Sequence, residues 1–240
     1  MDVRFLSAGD TALVVEFGDG IDRLLSERVL RLGALVREQA LPGVVEVVPT
    51  FRSLMVHYNP LATGGAALTG QLKDLLDGGA AATGEARLWR IPACYEPTHA
   101  PDLEDVARQT GLTPDEVVRL HAGTRFHVYM IGFVPGYPYM GDLPDQLVLP
   151  RRANPRIRVA AGSIAIAATM TAIYPLESPG GWHLIGATPV RLFDAGSARP
   201  ALLGPGDKVC FEPVSGGEFE KIRAACQAGG YEVPCEVIQA

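Results

Sequence analysis

Cysteine is scarce in the 240-residue chain, and Cys94, Cys210, Cys226 and Cys235 make no C-x-x-C pair and no metal-finger spacing. A disulfide framework has no pattern to rest on, and a reduced, cytoplasmic setting is expected. There is no run of Lys or Arg, and the net charge is −6, which argues against a nucleic-acid surface. The five histidines, His57, His99, His121, His127 and His183, are scattered without ligand spacing, so no metal site is expected. Neither G-x-x-x-x-G-K-[ST] nor G-x-G-x-x-G occurs, which counts against a P-loop or Rossmann nucleotide site. A G-x-S-x-G nucleophile elbow is missing too. Met1-Asp2-Val3-Arg4 shows no basic region leading into an apolar run, so no signal peptide is expected. The uncharged stretch from Val159 to Leu176 is about as long as a bilayer crossing requires. It is rich in Ala, Gly, Ser and Thr, has Pro175 near its end, and alternates at Ile164 and Ile166, as a buried strand does.

With 48% hydrophobic and 20% charged residues, the chain has ample material for a core, in one large domain or two small ones. Residues 3–7 and 11–17 read as short strands parted by Ala8-Gly9-Asp10. A helix is expected from Ile21 to Gln39, with Leu25, Val29, Leu32 and Val36 at helical spacing. Strands at 44–48 and 53–58 and a Leu-rich helix around Leu68 to Leu76 complete an α+β N-terminal domain over residues 1–80. The small, nearly featureless segment from Asp77 to Ala86 reads as a linker. Beyond it, helices are expected from Asp102 to Thr110 and after Thr113-Pro114-Asp115-Glu116, a capping box with Pro at the first helical position. Short strands at 87–93, 126–132, 146–149, 162–168, 182–185, 191–193 and 208–212 point to a mainly-β barrel, closed or nearly closed, over residues 87–215. A C-terminal helix and extended tail would occupy 216–240.

The densest chemistry lies between Tyr129 and Pro189, where Gly, Pro, aromatic and Arg residues concentrate. Proline fixes φ and glycine opens the left-handed region, so such a segment commits to particular turns. Rigid turns lined with Tyr, Trp and Arg suit a pocket wall, although a β-rich domain with tight corners would also use them. Arg151, Arg152 and Arg156 crowd beside Pro150 and Pro155, and their planar forks match carboxylate or phosphate. On composition alone a solvated basic turn explains them as well. Ser178-Pro179-Gly180-Gly181-Trp182 makes a plausible nest, with backbone N–H groups of Ser178, Gly180 and Gly181 turned toward an anion. Glu177 and His183 flank it, and either could move a proton.

The motifs G-F-V-P-G-Y-P-Y-M, L-P-R-R-A-N-P-R, A-G-S-I and I-Y-P-L-E-S-P-G-G-W-H-L-I-G resemble the 5-oxoprolinase B-subunit family, formerly allophanate hydrolase subunit 1. The resemblance extends to S-A-G-D-T-A-L-V-V-E-F-G near the start and to Arg119-Leu120-His121. It implies a cyclophilin-like β-barrel behind a smaller α+β domain, and a heteromer with the 5-oxoprolinase C subunit and, further, the A subunit. It also implies ATP, with Mg as counter-ion, consumed in opening 5-oxo-L-proline to L-glutamate. The candidate catalytic groups are then His121, Glu177 and His183, and the candidate substrate- or phosphate-binding ones are Arg151, Arg152, Arg156, Ser178, Gly180 and Gly181. Some family members instead dock on and inhibit a sensor histidine kinase. The sequence departs from the family pattern at Thr98, Met170, His183 and Ala187, where the pattern has an acid, two glutamines and an arginine among them. These departures leave open which amide is recognised.

Overall fold

A computed structural model describes residues 3–78 and 85–239. Two compact units emerge, 1–85 with 239–240 and 86–238. Most of the expected linker, Asp77 to Ala86, lies outside the described residues.

The first unit contains β1 (Arg4–Ser7), β2 (Ala12–Glu16), α1 (Arg23–Glu38), β3 (Val44–Pro49), β4 (Ser53–Tyr58) and α2 (Gly65–Asp77). Its sheet is antiparallel, in the order β1-β2-β4-β3. Leu13 faces Val56 and Val15 faces Leu54 across β2 and β4. Because strand side chains alternate, these residues share one face, and Val29, Leu32 and Val36 of α1 and Leu68 and Leu72 of α2 cover it. The first helix starts two residues later than the apolar pattern suggests, because the Asp22 carboxylate accepts the Leu25 N–H at 3.1 Å and fixes the cap there.

The second unit contains β5 (Glu85–Ala93), α3 (Leu103–Thr110), α4 (Pro114–Ala122), β6 (Phe126–Ile131), β7 (Pro138–Gly141), β8 (Arg156–Val159), β9 (Ser163–Ala167), β10 (Met170–Ile173), β11 (Ser178–Gly180), β12 (His183–Ala187), β13 (Lys208–Pro213), α5 (Gly216–Gln227) and β14 (Cys235–Gln239). Eight strands form one sheet, in the order β12-β9-β10-β7-β6-β13-β5-β14, while β8 and β11 pair as a separate ribbon. Ile91, Phe126, Val128, Met140, Ile164, Ile166, Val209 and Phe211 fill its core, together with Val106 of α3 and Val117 of α4. The capping box forms: the Thr113 hydroxyl accepts the Glu116 N–H while the Glu116 carboxylate accepts the Thr113 N–H at 2.8 Å. Gly111 ends α3 at φ 73°, a left-handed conformation that suits glycine.

Among the described residues the strands do not close into a continuous barrel. A single bridge, Cys94 to Ala187 with N···O distances of 2.8 and 2.9 Å, brings the end of β5 back to β12. The ladder cannot continue, since β5 ends at Ala93, β12 ends at Ala187, and Pro189 follows. The result is a curled sheet with open edges. The strand expected at 146–149 is a short 3-10 turn, Asp145–Leu147, followed by a bridge from Leu149 to Ala168, and the one at 191–193 is reduced to a bridge from Phe193 to Ala201. The Val159 to Leu176 stretch supplies β9 and β10, and no helix among the described residues is long and apolar enough to cross a membrane.

Candidate functional site

The ribbon of β8 and β11 places the two motif-rich segments side by side. Gly180 stands opposite Arg156 and Ser178 opposite Val159, with an irregularity between them. Below the ribbon the chain is pinned again: the Arg152 N–H donates to the Gly181 carbonyl at 2.8 Å, and His183 Nε2–H donates to the Pro150 carbonyl at 2.9 Å. Only a glycine fits at 180. An added Cβ would come within 2.7 Å of Tyr174 Cζ and closer still to its hydroxyl, and Tyr174 is itself buried.

The centre of this patch is Asp102. Its position just before α3 marks it as a helix cap, yet its side chain makes no capping bond. The carboxylate turns instead to the arginines: Oδ1 accepts from Arg152 Nη1 at 2.9 Å and from Arg156 Nη2 at 2.6 Å, while Oδ2 accepts the Leu184 N–H at 2.7 Å. The Asp102 N–H donates to the Leu184 carbonyl at 3.0 Å, so the acid is clamped onto the edge strand β12. With the Asp102 side chain 5% exposed and those of Arg152 and Arg156 28% and 26% exposed, the ion pairs are far less screened than surface ones. Two guanidinium charges against one carboxylate leave a net positive charge.

Arg156 also forms part of the wall of a cleft of about 530 Å³, which Thr98, His99, Leu184, Ala187, Thr188 and Phe219 help to line. Arg152, Ser178 and His183 do not reach this cleft; Ser178 and His183 are buried. Arg158, Arg191 and Arg223 stand around it, but each is paired, with Glu177, Asp194 and Glu220 respectively.

The structure therefore joins Arg152, Arg156, Ser178, Gly180, Gly181 and His183 and leaves three other candidates elsewhere. Arg151 lies with its guanidinium 6.0 Å from the Trp182 ring, beside Tyr137, Tyr139 and Tyr174. Burial raises the ionisation of Tyr137 far above the ordinary tyrosine range. Glu177, with its side chain 54% exposed, is engaged by Arg158 at 2.7 Å. His121 is fully buried, between the Tyr95 hydroxyl and Thr171 Oγ1, both at 2.9 Å, and is stacked on Phe211. Thr171 donates onward to the Ala165 carbonyl at 3.1 Å, so it accepts from His121 Nε2–H, and Nδ1 accepts from Tyr95. Burial pushes the His121 pKa down to about 3. Both nitrogens are committed and the ring is held neutral, so the expectation of a catalytic His121 gives way to a core hydrogen-bond link.

Among the described residues no group of three or more His, Cys, Asp or Glu side chains is arranged to hold a metal ion. What the patch offers is cationic donors in a partly dry setting, suited to binding one anionic group.

A two-unit architecture with this patch in its β-rich half belongs to a recognisable class. The family described as the carboxyltransferase domain, subdomain C and D, matches residues 3–203, the first unit and most of the second. The B subunit of 5-oxoprolinase from Bacillus subtilis (strain 168) is 36% identical over 228 residues, covering 90% of this chain and 95% of that protein. Its counterpart in Escherichia coli O157:H7 is 40% identical over 210 residues, 87% of this chain and 95% of that one. The crystal structure of TTHA0988 superposes with a TM-score of 0.78 at 35% identity over 85% of this chain, which spans 40% of the length of TTHA0988. The chain belongs to the family of 5-oxoprolinase B subunits.

Proposed function

We propose that the chain is the B subunit of an ATP-dependent enzyme that opens 5-oxo-L-proline to L-glutamate in the cytoplasm, working in a heteromer with the enzyme's C and A subunits. The observation that carries this reading is the Asp102–Arg152–Arg156 patch in a chain so similar to 5-oxoprolinase B subunits over nearly its whole length. The substrate is an anion, and the patch is an anion-binding device whose guanidinium groups are already oriented by Asp102. The bridge from Cys94 to Ala187 is consistent with a cyclophilin-like curl of the second unit.

Amides resist hydrolysis because resonance strengthens the C–N bond and nitrogen leaves poorly, and ATP supplies the driving force in such enzymes. The described residues do not fit ATP with its magnesium. The patch has one net positive charge against the several negative charges of a triphosphate, and no acidic cluster accompanies it. The nucleotide is therefore assigned to another component of the heteromer, and this chain is assigned the reactant anion. Obligate interfaces in general are large and apolar, so in this reading the C subunit should co-purify on co-expression. The test is phosphate release from ATP by that complex. It should appear only when 5-oxoproline is added, and release that ignores 5-oxoproline would refute the reading.

A further inference from the structure

The first unit holds a cavity of about 400 Å³ where α1, α2 and the side of the sheet formed by β1 and the end of β2 meet. Phe17 and Leu32, 0% and 1% exposed, give it an apolar base, and the half-buried Phe5, Leu35 and Leu76 continue that surface. Three exposed cations line it as well, Arg28 and Arg31 from α1 and Lys73 from α2. Two of them lean across the aromatic rings. The Arg28 guanidinium stands 5.0 Å from the centre of the Phe17 ring, and the Lys73 ammonium 5.5 Å from that of Phe5. A ring face orients a cation without neutralising it. Among the described residues none of the three is in an ion pair, although Glu27 and Asp77 lie one helical turn from Arg31 and Lys73. Asp77 is the one acid in the lining, so three positive charges stand against one in a chain whose net charge is −6.

We infer that this cavity binds an aliphatic carboxylate of medium chain length. The hydrocarbon chain lies against Phe17, Leu32 and Leu35, and the carboxylate sits among Arg28, Arg31 and Lys73. The volume is within the range of small-molecule sites, about 300–1,000 Å³. Apart from its charged groups the lining is Val, Leu and Phe, without a hydroxyl or amide side chain, so a polar ligand body would enter without hydrogen-bond partners. An inorganic anion would leave the apolar base unfilled, and a neutral hydrocarbon would leave the cations unanswered. An amphiphile with one charged end meets both requirements. A free amphiphile can enter chain first. A bilayer presents its headgroups first and keeps its chains behind them, so it cannot fill the cavity in this way. The site lies in the first unit and is independent of the reaction proposed above.

Titration of the full chain with octanoate, followed by the methyl NMR signals of its leucines and valines, tests this. Shifts are expected at Leu32, Leu35 and Leu76, with the second unit unaffected. Hexanoate, two methylenes shorter, should bind roughly tenfold more weakly. Octan-1-ol, which keeps the chain but not the charge, should bind several-fold more weakly than octanoate, and acetate should shift nothing. Arg28→Gln with Lys73→Gln removes two exposed cations and leaves the apolar core intact. This double variant should weaken octanoate about tenfold and leave octan-1-ol unchanged. Equal binding of octanoate and octan-1-ol, or octanoate binding that ignores the double variant, would make the charges incidental and overturn the inference. Absence of octanoate-induced shifts, or shifts confined to the second unit, would overturn it as well. Binding to vesicles of anionic phospholipid without binding of free octanoate would overturn it in favour of a membrane-surface role.

Discussion

Replacing His121 by phenylalanine separates a structural histidine from a catalytic one. Phenylalanine keeps the stacking on Phe211 and Phe126 but leaves the Tyr95 hydroxyl without its acceptor, at a cost of about 1–3 kcal/mol near neutral pH. The pH dependence is the sharper signal. The native pKa of about 3 lies below the ordinary value of 6.5, so between those values the unfolded chain holds a proton that the native one refuses. Stability from the neutral ring is complete above pH 6.5 and is lost as pH falls from there toward 3. Between pH 7.5 and 5.0 this one group removes about 2 kcal/mol from the wild type and nothing from the variant. The gap between the two proteins should therefore shrink by that amount on acidification, with all other groups cancelling. Urea unfolding followed by tryptophan fluorescence reads it cleanly, because both tryptophans, Trp89 and Trp182, lie in the second unit. A gap that stays the same at the two pH values would show that His121 accepts a proton in the native state and would reopen a role for it in proton transfer.

Gly180→Ala should lower the stability of the second unit by about 1–3 kcal/mol through overpacking against the buried Tyr174 ring, measured by the same urea titration. Asp102→Asn keeps an acceptor for the Leu184 N–H but removes the charge facing two guanidinium groups, and should cost about 3 kcal/mol. A double-mutant cycle of Asp102→Asn with Arg156→Gln should show coupling of about 1–3 kcal/mol; additive losses would mean that the ion pair contributes little.

Much of the fold was legible because it follows local rules. The Thr113 box, the Gly111 stop and the apolar stripe of α1 specify helices from a few residues each, and the period-two pattern from Ser53 to Tyr58 matched β4 at both ends. The short strands were not. β8 alternates poorly because Arg156, Ile157 and Arg158 serve a ribbon with an exposed side, and β11 is three residues containing Pro179 and Gly180. At 146–149 and 191–193, β-like composition was overridden by turns at Pro144 and Asp194. The density of Gly, Pro and Arg pointed to Arg152, Arg156, Ser178 and His183, which the ribbon of β8 and β11 and the loops beside it bring near one another. Asp102 was missed for a physical reason. An aspartate before a helix is ordinarily its cap, and only the tertiary structure, which brings residues some 50 and 82 positions later beside it, diverts the carboxylate. Arg151 and Glu177 are adjacent to patch residues in sequence, but Arg151 lies against the Trp182 ring and Glu177 pairs with Arg158.

The most direct measurement of the central claim is L-glutamate formation from 5-oxoproline and ATP by the co-purified complex, made with the wild-type chain and with Arg156→Lys. Lysine keeps a positive charge for Asp102 but loses the planar fork and its Nη1 donor. The account predicts glutamate formation by the wild type, and a loss of about ten- to hundredfold in kcat/KM for the variant in a complex that assembles normally. Equal glutamate formation by both complexes, or none by the wild type, would contradict it.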